Sequence, residues 1–311
     1  MKQRTFLMIA LALMVALFVV LAIVFSSALP FGKNPATQAA SPSPTPSPIP
    51  TPTATPSPTP LVNGSSAYLI DATNGRVLLD VNSHMHTDMW STTKIMTALL
   101  AIERLPMDQV VTIEQSELDE VPDGMSIAYL KAGDQLSVLH LLYGLLLPSG
   151  SDAAIVLAHA VSGDTASFVA LMNARAAQLG LTDTHYANPY GASDPNHYSS
   201  AADLVKLARV AMGYSIFAQI VSTPHYYLGA NLSHTTYQWD NILNPFLQSY
   251  PNANGIKTGS NTDNTDWCMV FSATRNGHLL IGAEMQAPSE DQVFTDAGNI
   301  LDKGFALEGI S

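Results

Sequence analysis

Residues 90–103 read Trp-Ser-Thr-Thr-Lys-Ile-Met-Thr-Ala-Leu-Leu-Ala-Ile-Glu. From Ile95 to Ile102 this run is almost continuously apolar and made of good helix formers, which predicts a helix buried on most of its faces. A helix covered all round needs other layers about it, and the flanking sequence supplies them. Upstream, the apolar runs 67–70 and 77–79 lie either side of Asn74-Gly75, a hairpin signal. Downstream, a second apolar helix is predicted over 137–147 and stopped by Pro148, with further helices over 152–161, 166–179 and 201–212. Strands are predicted at 268–273 and 279–283 around a turn at Arg275-Asn276-Gly277, and helical spacing over 294–305 follows. Strands at both ends enclosing a helical middle predict an α+β domain whose sheet is built from the N- and C-terminal segments.

The chain has 311 residues and a formal charge of −12. Residues 1–60 hold three basic side chains (Lys2, Arg4 and Lys33) and no acidic one, so residues 61–311 carry −15. That balance argues against nucleic acid as a partner, because phosphate binding needs clustered Lys and Arg. The single cysteine, Cys268, permits neither an internal disulfide nor a CxxC metal motif, and its apolar neighbours predict a small buried hydrophobe. No HExxH pattern occurs, and His84 and His86 are expected at the surface or in packing. No metal or organic cofactor is implied.

Lys2 and Arg4 precede an unbroken apolar stretch over 6–25. Twenty residues at about 1.5 Å each match the hydrocarbon core of a bilayer, and basic residues before them predict a cytoplasmic N-terminus and an exported remainder. The alternative is a cleaved signal peptide ending near Ser26-Ser27-Ala28; in both cases the rest leaves the cytoplasm. Residues 41–60, SPSPTPSPIPTPTATPSPTP, favour extended polyproline II structure and read as a stalk reaching about 60 Å. The expected organisation is therefore an anchor or signal over 1–28, a Pro/Ser/Thr-rich disordered stalk over 29–60, and a catalytic domain over 61–311.

Three short motifs follow in order. Ser91-Thr92-Thr93-Lys94 opens the buried helix, where a spacing of three brings the Lys94 amine toward the Ser91 hydroxyl. A serine hydroxyl needs a base, and a lysine serves if burial or a second cation depresses its pKa. The bland reading is a helix cap followed by a surface lysine, but an idle charge in so apolar a helix is costly. Ser149-Gly150-Ser151 lies just beyond Pro148; it aims a hydroxyl into a cleft, or else Ser151 or Asp152 simply caps the next helix. Lys257-Thr258-Gly259 is either a polar turn or, on an exposed strand, a carboxylate-binding edge supplying charge, a hydroxyl donor and room for a substrate backbone.

Together the trio resembles the D-alanyl-D-alanine carboxypeptidases, the low-molecular-mass penicillin-binding proteins of serine peptidase family S11, over roughly 66–305. The stretch 90–103, Asn188-Pro189-Tyr190-Gly191, His197-Tyr198-Ser199, 241–244 and 255–259 add to the likeness. The resemblance implies a penicillin-recognising, β-lactamase-like α+β fold with an antiparallel sheet and a helical cluster. It implies Ser91 as acylated nucleophile, Lys94 as its base, and Ser149 as proton relay to the leaving D-alanine. Lys257 and Thr258 would hold the terminal carboxylate beside Gly259, and the N–H groups of Ser91 and Ser260 would form the oxyanion hole. The implied partners are peptidoglycan stem peptides ending in D-Ala-D-Ala, β-lactams as inhibitors, and the cytoplasmic membrane through the N-terminal segment.

Three features depart from the pattern. Ser151 stands where the family usually has an asparagine that holds the substrate backbone, the segment 257–268 is one residue longer, and no stalk domain or amphipathic anchor follows Ser311. A class A β-lactamase would use a glutamate between the second and third motifs, and none occurs between Glu120 and Glu284. A related D,D-endopeptidase and a catalytically weak wall-binding module, the latter prompted by Ser151, stay open as alternatives.

Overall fold

The hairpin expected at Asn74-Gly75 forms as β1 (Ser66–Asp71) and β2 (Val77–Val81) in the computed structural model, which describes residues 61–230, 233 and 235–310. Asp71 fixes the turn, accepting from Thr73 N–H and from Asn74 Nδ2, each at 2.8 Å. The free edge of β1 pairs with a strand from the far end of the chain, β9 (His278–Ala287), with Ser66 opposite Met285 and Asp71 opposite Leu280. β9 pairs in turn with β8 (Trp267–Arg275), and β8 with β7 (Ala253–Ser260), all antiparallel. The order β2-β1-β9-β8-β7 is thus the sheet expected from the two ends of the sequence.

β8 shows why its sequence reads as a solid apolar run rather than an alternation. Successive side chains of a strand point to opposite faces, and here both faces are covered. Met269, Phe271 and Ala273 pack with Leu69 and Leu280 against α9 (Glu290–Leu307), through Val293, Ile300, Leu301 and Phe305. Cys268 and Val270 face the helical cluster instead, and the Cys268 thiol is fully buried, as expected of a small hydrophobe. The cluster is centred on α1 (Lys94–Arg104), whose residues from Lys94 to Ala101 are all buried. Around it stand α3 (Val138–Leu146), α4 (Ser151–Ser162), α5 (Thr165–Leu179) and α6 (Ala201–Met212). Each lies within a residue or two of its predicted span.

Two-stranded ribbons absent from the sequence reading complete the domain: β3 (Val110–Thr112) with β4 (Gln135–Ser137), and β5 (His225–Leu228) with β6 (Tyr237–Asp240). Short helices α2 (Gln115–Leu118), α7 (Ser215–Val221) and α8 (Asn244–Ser249) were also not foreseen. His84 and His86 are exposed and share Asp183, at 2.7 and 3.3 Å. The expected anchor and stalk over 1–60 lie outside the described residues; among those described, no single helix is long and apolar enough to cross a membrane.

The chain enters the domain over a buried carboxyl pair. Gly64 N–H donates to Glu284 Oε1 at 2.7 Å, and Asn63 donates through its backbone and Nδ2 to Asp296 at 2.8 and 2.9 Å. Burial, with the Asp296 carboxylate beside it, pushes the Glu284 pKa from 4.5 up to about 9, so Glu284 is protonated at neutral pH. A folded-state pKa raised above the unfolded one gives stability that is complete below pH 4.5 and lost as pH climbs toward 9. Glutamine reproduces the neutral acid, accepting from Gly64 and donating to Asp296. Glu284→Gln is therefore expected to gain on the wild type as pH rises, with a limiting slope of about 1.4 kcal/mol per pH unit. Urea midpoints at pH 5, 7 and 8.5 check this; a constant difference between the two proteins would contradict it.

Candidate active site

Ahead of α1 the chain makes a 3-10 turn over Trp90–Thr93, entered through a left-handed Trp90 at φ 45°. A bulky residue in that region is strained and must be held by its surroundings. Thr93 Oγ1 donates to the Trp90 carbonyl at 2.7 Å. His197 lies behind it, with Nε2 2.8 Å from Thr93 Oγ1 and Nδ1 accepting from Ala187 N–H at 3.0 Å. Because Nδ1 accepts, Nε2 carries the proton and donates to Thr93. Burial pushes the His197 pKa down to about 4, which keeps the ring neutral.

This turn sets Ser91 at the mouth of a cavity with Lys94 beneath it. Lys94 Nζ lies 3.0 Å from Ser91 Oγ and donates to the Tyr190 carbonyl at 2.7 Å. Lys94 is fully buried, and its pKa is held far below the ordinary amine value, first by burial and then by the charge of Lys257. The Tyr190 carbonyl is presented by a turn that Asn188 organises. Asn188 Oδ1 accepts from Gly191 and Ala192 N–H at 2.7 and 3.0 Å, and its Nδ2 donates to the Ala192 carbonyl at 2.9 Å. Gly191 and Gly259 then grip the nucleophile's backbone from two sides. A Cβ on Gly191 would fall 2.0 Å from the Trp90 oxygen, and one on Gly259 would fall 2.6 Å from the Ser91 nitrogen.

The second wall carries Ser149, another left-handed residue at φ 63°, whose Oγ is buried without a partner. Its carbonyl accepts from Ser126 Oγ at 2.7 Å, while Ser151 N–H donates to the Ser126 carbonyl at 2.8 Å. Ser126 thus ties the serine loop to the segment 122–126, a role set by distant backbone that no motif marks. The capping reading of Ser151 and Asp152 needs correction. Gly150 occupies the cap position with no side-chain bond, and Ser151 Oγ is buried, unpartnered and off the cavity wall. Asp152 takes one first-turn N–H, that of Ala153. The same carboxylate also receives Ala128 and Leu130 N–H at 2.8 and 3.0 Å, clamping the neighbouring loop.

The third wall is β7, where Thr258, Gly259 and Ser260 line the cavity. The expected exposed strand is an edge strand with covered side chains: Lys257 and Thr258 are 2 % and 3 % exposed. Lys257 sits behind the wall, Nζ donating to the Thr258 carbonyl at 3.0 Å, and burial lowers its pKa to about 7. Of the residues singled out in sequence, Ser91, Ser149, Thr258, Gly259 and Ser260 meet on one cavity of about 660 Å³. Lys94 and Lys257 lie buried just behind it, and Ser151 stands apart. A hydroxyl against a buried amine of depressed pKa is a nucleophile with its base, which is the equipment of acyl transfer.

The profile of the D-alanyl-D-alanine carboxypeptidase family matches residues 53–289. The D-alanyl-D-alanine carboxypeptidase of Streptomyces sp. (strain K15) is 38% identical over 253 residues, covering 77% of this chain and 86% of that protein. The D-alanyl-D-alanine carboxypeptidase DacF of Bacillus subtilis (strain 168) is 31% identical over 243 residues; the match covers 78% of this chain and 62% of the relative. Among solved structures, the Streptomyces K15 DD-transpeptidase superposes with a TM-score of 0.75 at 35% identity, over 79% of this chain and 98% of that one.

Proposed function

From the premise that the chain belongs to the D-alanyl-D-alanine carboxypeptidase family S11, we propose that it removes the terminal D-alanine of peptidoglycan stem peptides through a Ser91 acyl-enzyme. The observation that carries this is the 3.0 Å approach of a buried, pKa-depressed Lys94 amine to the Ser91 hydroxyl. Lys94 takes the Ser91 proton as Oγ attacks the carbonyl between the two D-alanines. The N–H groups of Ser91 and Ser260 receive the oxyanion, Thr258 on the wall holds the terminal carboxylate, and Lys257 supports it with positive charge from just behind. The unpartnered Ser149 hydroxyl passes the proton to the leaving amine, and water then releases the shortened peptide.

Labelled penicillin is expected to form a stable covalent adduct with residues 61–311, and a stem pentapeptide is expected to lose one D-alanine. Rapid turnover of penicillin, or an absence of both adduct and D-alanine, would overturn the assignment. Ser149→Ala should lower D-alanine release by about 10²- to 10³-fold with a smaller effect on KM. Ser149→Gly, which suits the left-handed backbone, should be equally inactive; recovery of activity in the glycine variant would show that strain rather than the hydroxyl matters.

A second reading has its own observation. The K15 structure is that of a DD-transpeptidase, and an acyl-enzyme here that met an amine before water would do the same chemistry. Adding a peptide amine to the pentapeptide assay and following the cross-linked product against free shortened peptide separates the two. The family works on the cell wall, outside the cytoplasm. We attribute attachment at the membrane to the apolar run 6–25, with 41–60 as spacer.

A further inference from the structure

A second cavity, of about 480 Å³, adjoins the one that holds Ser91, and Ser193 lines both. It forms where three stretches of chain meet in two isolated antiparallel bridges, Thr87 with Ser199 and His185 with Tyr198. Thr87, Asp88, Asp194, Pro195 and Tyr198 line it, and no lysine or arginine does. Asp88 accepts from Ser193 Oγ at 3.1 Å and Asp194 from Asn196 N–H at 2.8 Å. Neither carboxylate has an ion pair among the described residues. Thr87 is 6 % exposed, and its buried Oγ1 has no partner. A buried hydroxyl left unpaired is costly, and a ligand atom that donates to it removes the cost. The floor is His197, whose Nε2 is the donor that holds Thr93 beneath the Trp90 turn.

Two unpaired carboxylates in one cavity call for a cation, and their spacing favours an organic one. Among the described residues, no three His or Asp side chains of this cavity bring ligand atoms within 4.8 Å of one another, as a bound metal ion requires. An alkylammonium ion tolerates the wider spacing. Its charge lies in the field of both carboxylates, and its three N–H donors suit carboxylate and hydroxyl acceptors. Pro195 and Tyr198 offer its chain an apolar wall. That wall is already ordered, because the Tyr198 ring stacks on the His86 ring with centroids 4.5 Å apart and planes 13° apart. We propose that this cavity is a binding site for a primary ammonium group on an alkyl chain, separate from the cavity of the acyl transfer and independent of the reaction assigned to it.

The probes are Nα-acetyl-lysinamide, cadaverine, and Nα,Nε-diacetyl-lysinamide, which keeps the chain and loses the charge. Each is titrated at neutral pH and low salt into the protein carrying carbon-13 in its histidine rings, followed by NMR. Both amines should move the His86 and His197 signals saturably, with dissociation constants on the order of 1 mM, and leave His140 on α3 unmoved. Tighter binding of the lysine derivative marks a peptide side chain as the source of the ammonium, and tighter binding of cadaverine marks a free amine. Asp88→Asn and Asp194→Asn should each weaken binding about threefold, the scale of one exposed charge pair, and together about tenfold. Thr87→Val changes no charge and should weaken it about twofold, which keeps the test open if the double variant folds poorly. Equal shifts with the diacetyl probe would overturn the inference, as would wild-type affinity in the folded double variant or in Thr87→Val. A protein that binds the amines but releases no D-alanine would leave this site standing and sink the proposed reaction instead.

Discussion

Lys94→Met should lose about 10³- to 10⁴-fold in both penicillin acylation and D-alanine release while keeping its stability within about 1 kcal/mol of the wild type. The two halves have one cause. Lys94 is fully buried, and burial, then the charge of Lys257, hold its amine pKa well below the ordinary value, which is what a base for Ser91 requires. Methionine fills nearly the same space and removes the desolvated amine, and the loss of the donor to the Tyr190 carbonyl offsets part of that gain. Because Ser91 and Lys94 act as one unit, adding Ser91→Ala to Lys94→Met should cost little further. Labelling by fluorescent penicillin together with thermal melting decides the matter. Acylation within tenfold of the wild type would show that another group activates Ser91.

The second large effect concerns a residue with no side chain. Gly191 sits at φ 96°, and a Cβ there would lie 2.0 Å from the Trp90 oxygen and 2.9 Å from the Ser91 nitrogen. Gly191→Ala must push back the backbone that carries the nucleophile or distort the turn that presents the Tyr190 carbonyl. We expect a loss of about 3 kcal/mol or more and near-complete loss of penicillin labelling. Gly124, also left-handed at φ 80° and on the cavity wall, has nothing within 4 Å of its Cβ position. Gly124→Ala should cost only about 1 kcal/mol, the conformational part alone. Denaturant midpoints of the two variants separate steric contact from backbone preference, and equal losses would deny the grip on Ser91.

The contrast between those two glycines shows what a reader of the chain can and cannot find. The buried helix after Ser91, the N-terminal hairpin and the β8–β9 pair were legible because local signals agreed: apolar periodicity, Asn-Gly turns and a helix-stopping proline. Their joining into one sheet followed from apolar strands at both ends needing cover. The β3–β4 and β5–β6 ribbons were not legible. Their strands are three or four residues long, and β5–β6 is held by distant partners such as Tyr143, whose ring stacks on Tyr226 at 3.7 Å. At the site, residue types and order pointed to Ser91, Lys94, Ser149 and Lys257 through Ser260. What spacing cannot disclose is three-dimensional support: the left-handed Trp90, the His197–Thr93 prop beneath it, the Asp152 clamp, and Ser126 between two loops. The same limit explains Ser151, whose motif position promised a place on the wall that the first turn of α4 does not give it.

One consequence of the sheet order concerns how the protein is made. β9 is the middle strand, flanked by β1 and β8, yet it is supplied by residues 278–287 of the chain. Until those residues emerge from the ribosome, β1 has no neighbour along its inner edge and α6 and α9 lack the central strand they pack against. The β1–β9 pairing must therefore wait for residues 278–287 and close a loop of more than two hundred residues, a slow step during which the apolar helices stand open to aggregation. Shortened chains ending before β9 should accumulate as insoluble material rather than as a smaller working enzyme.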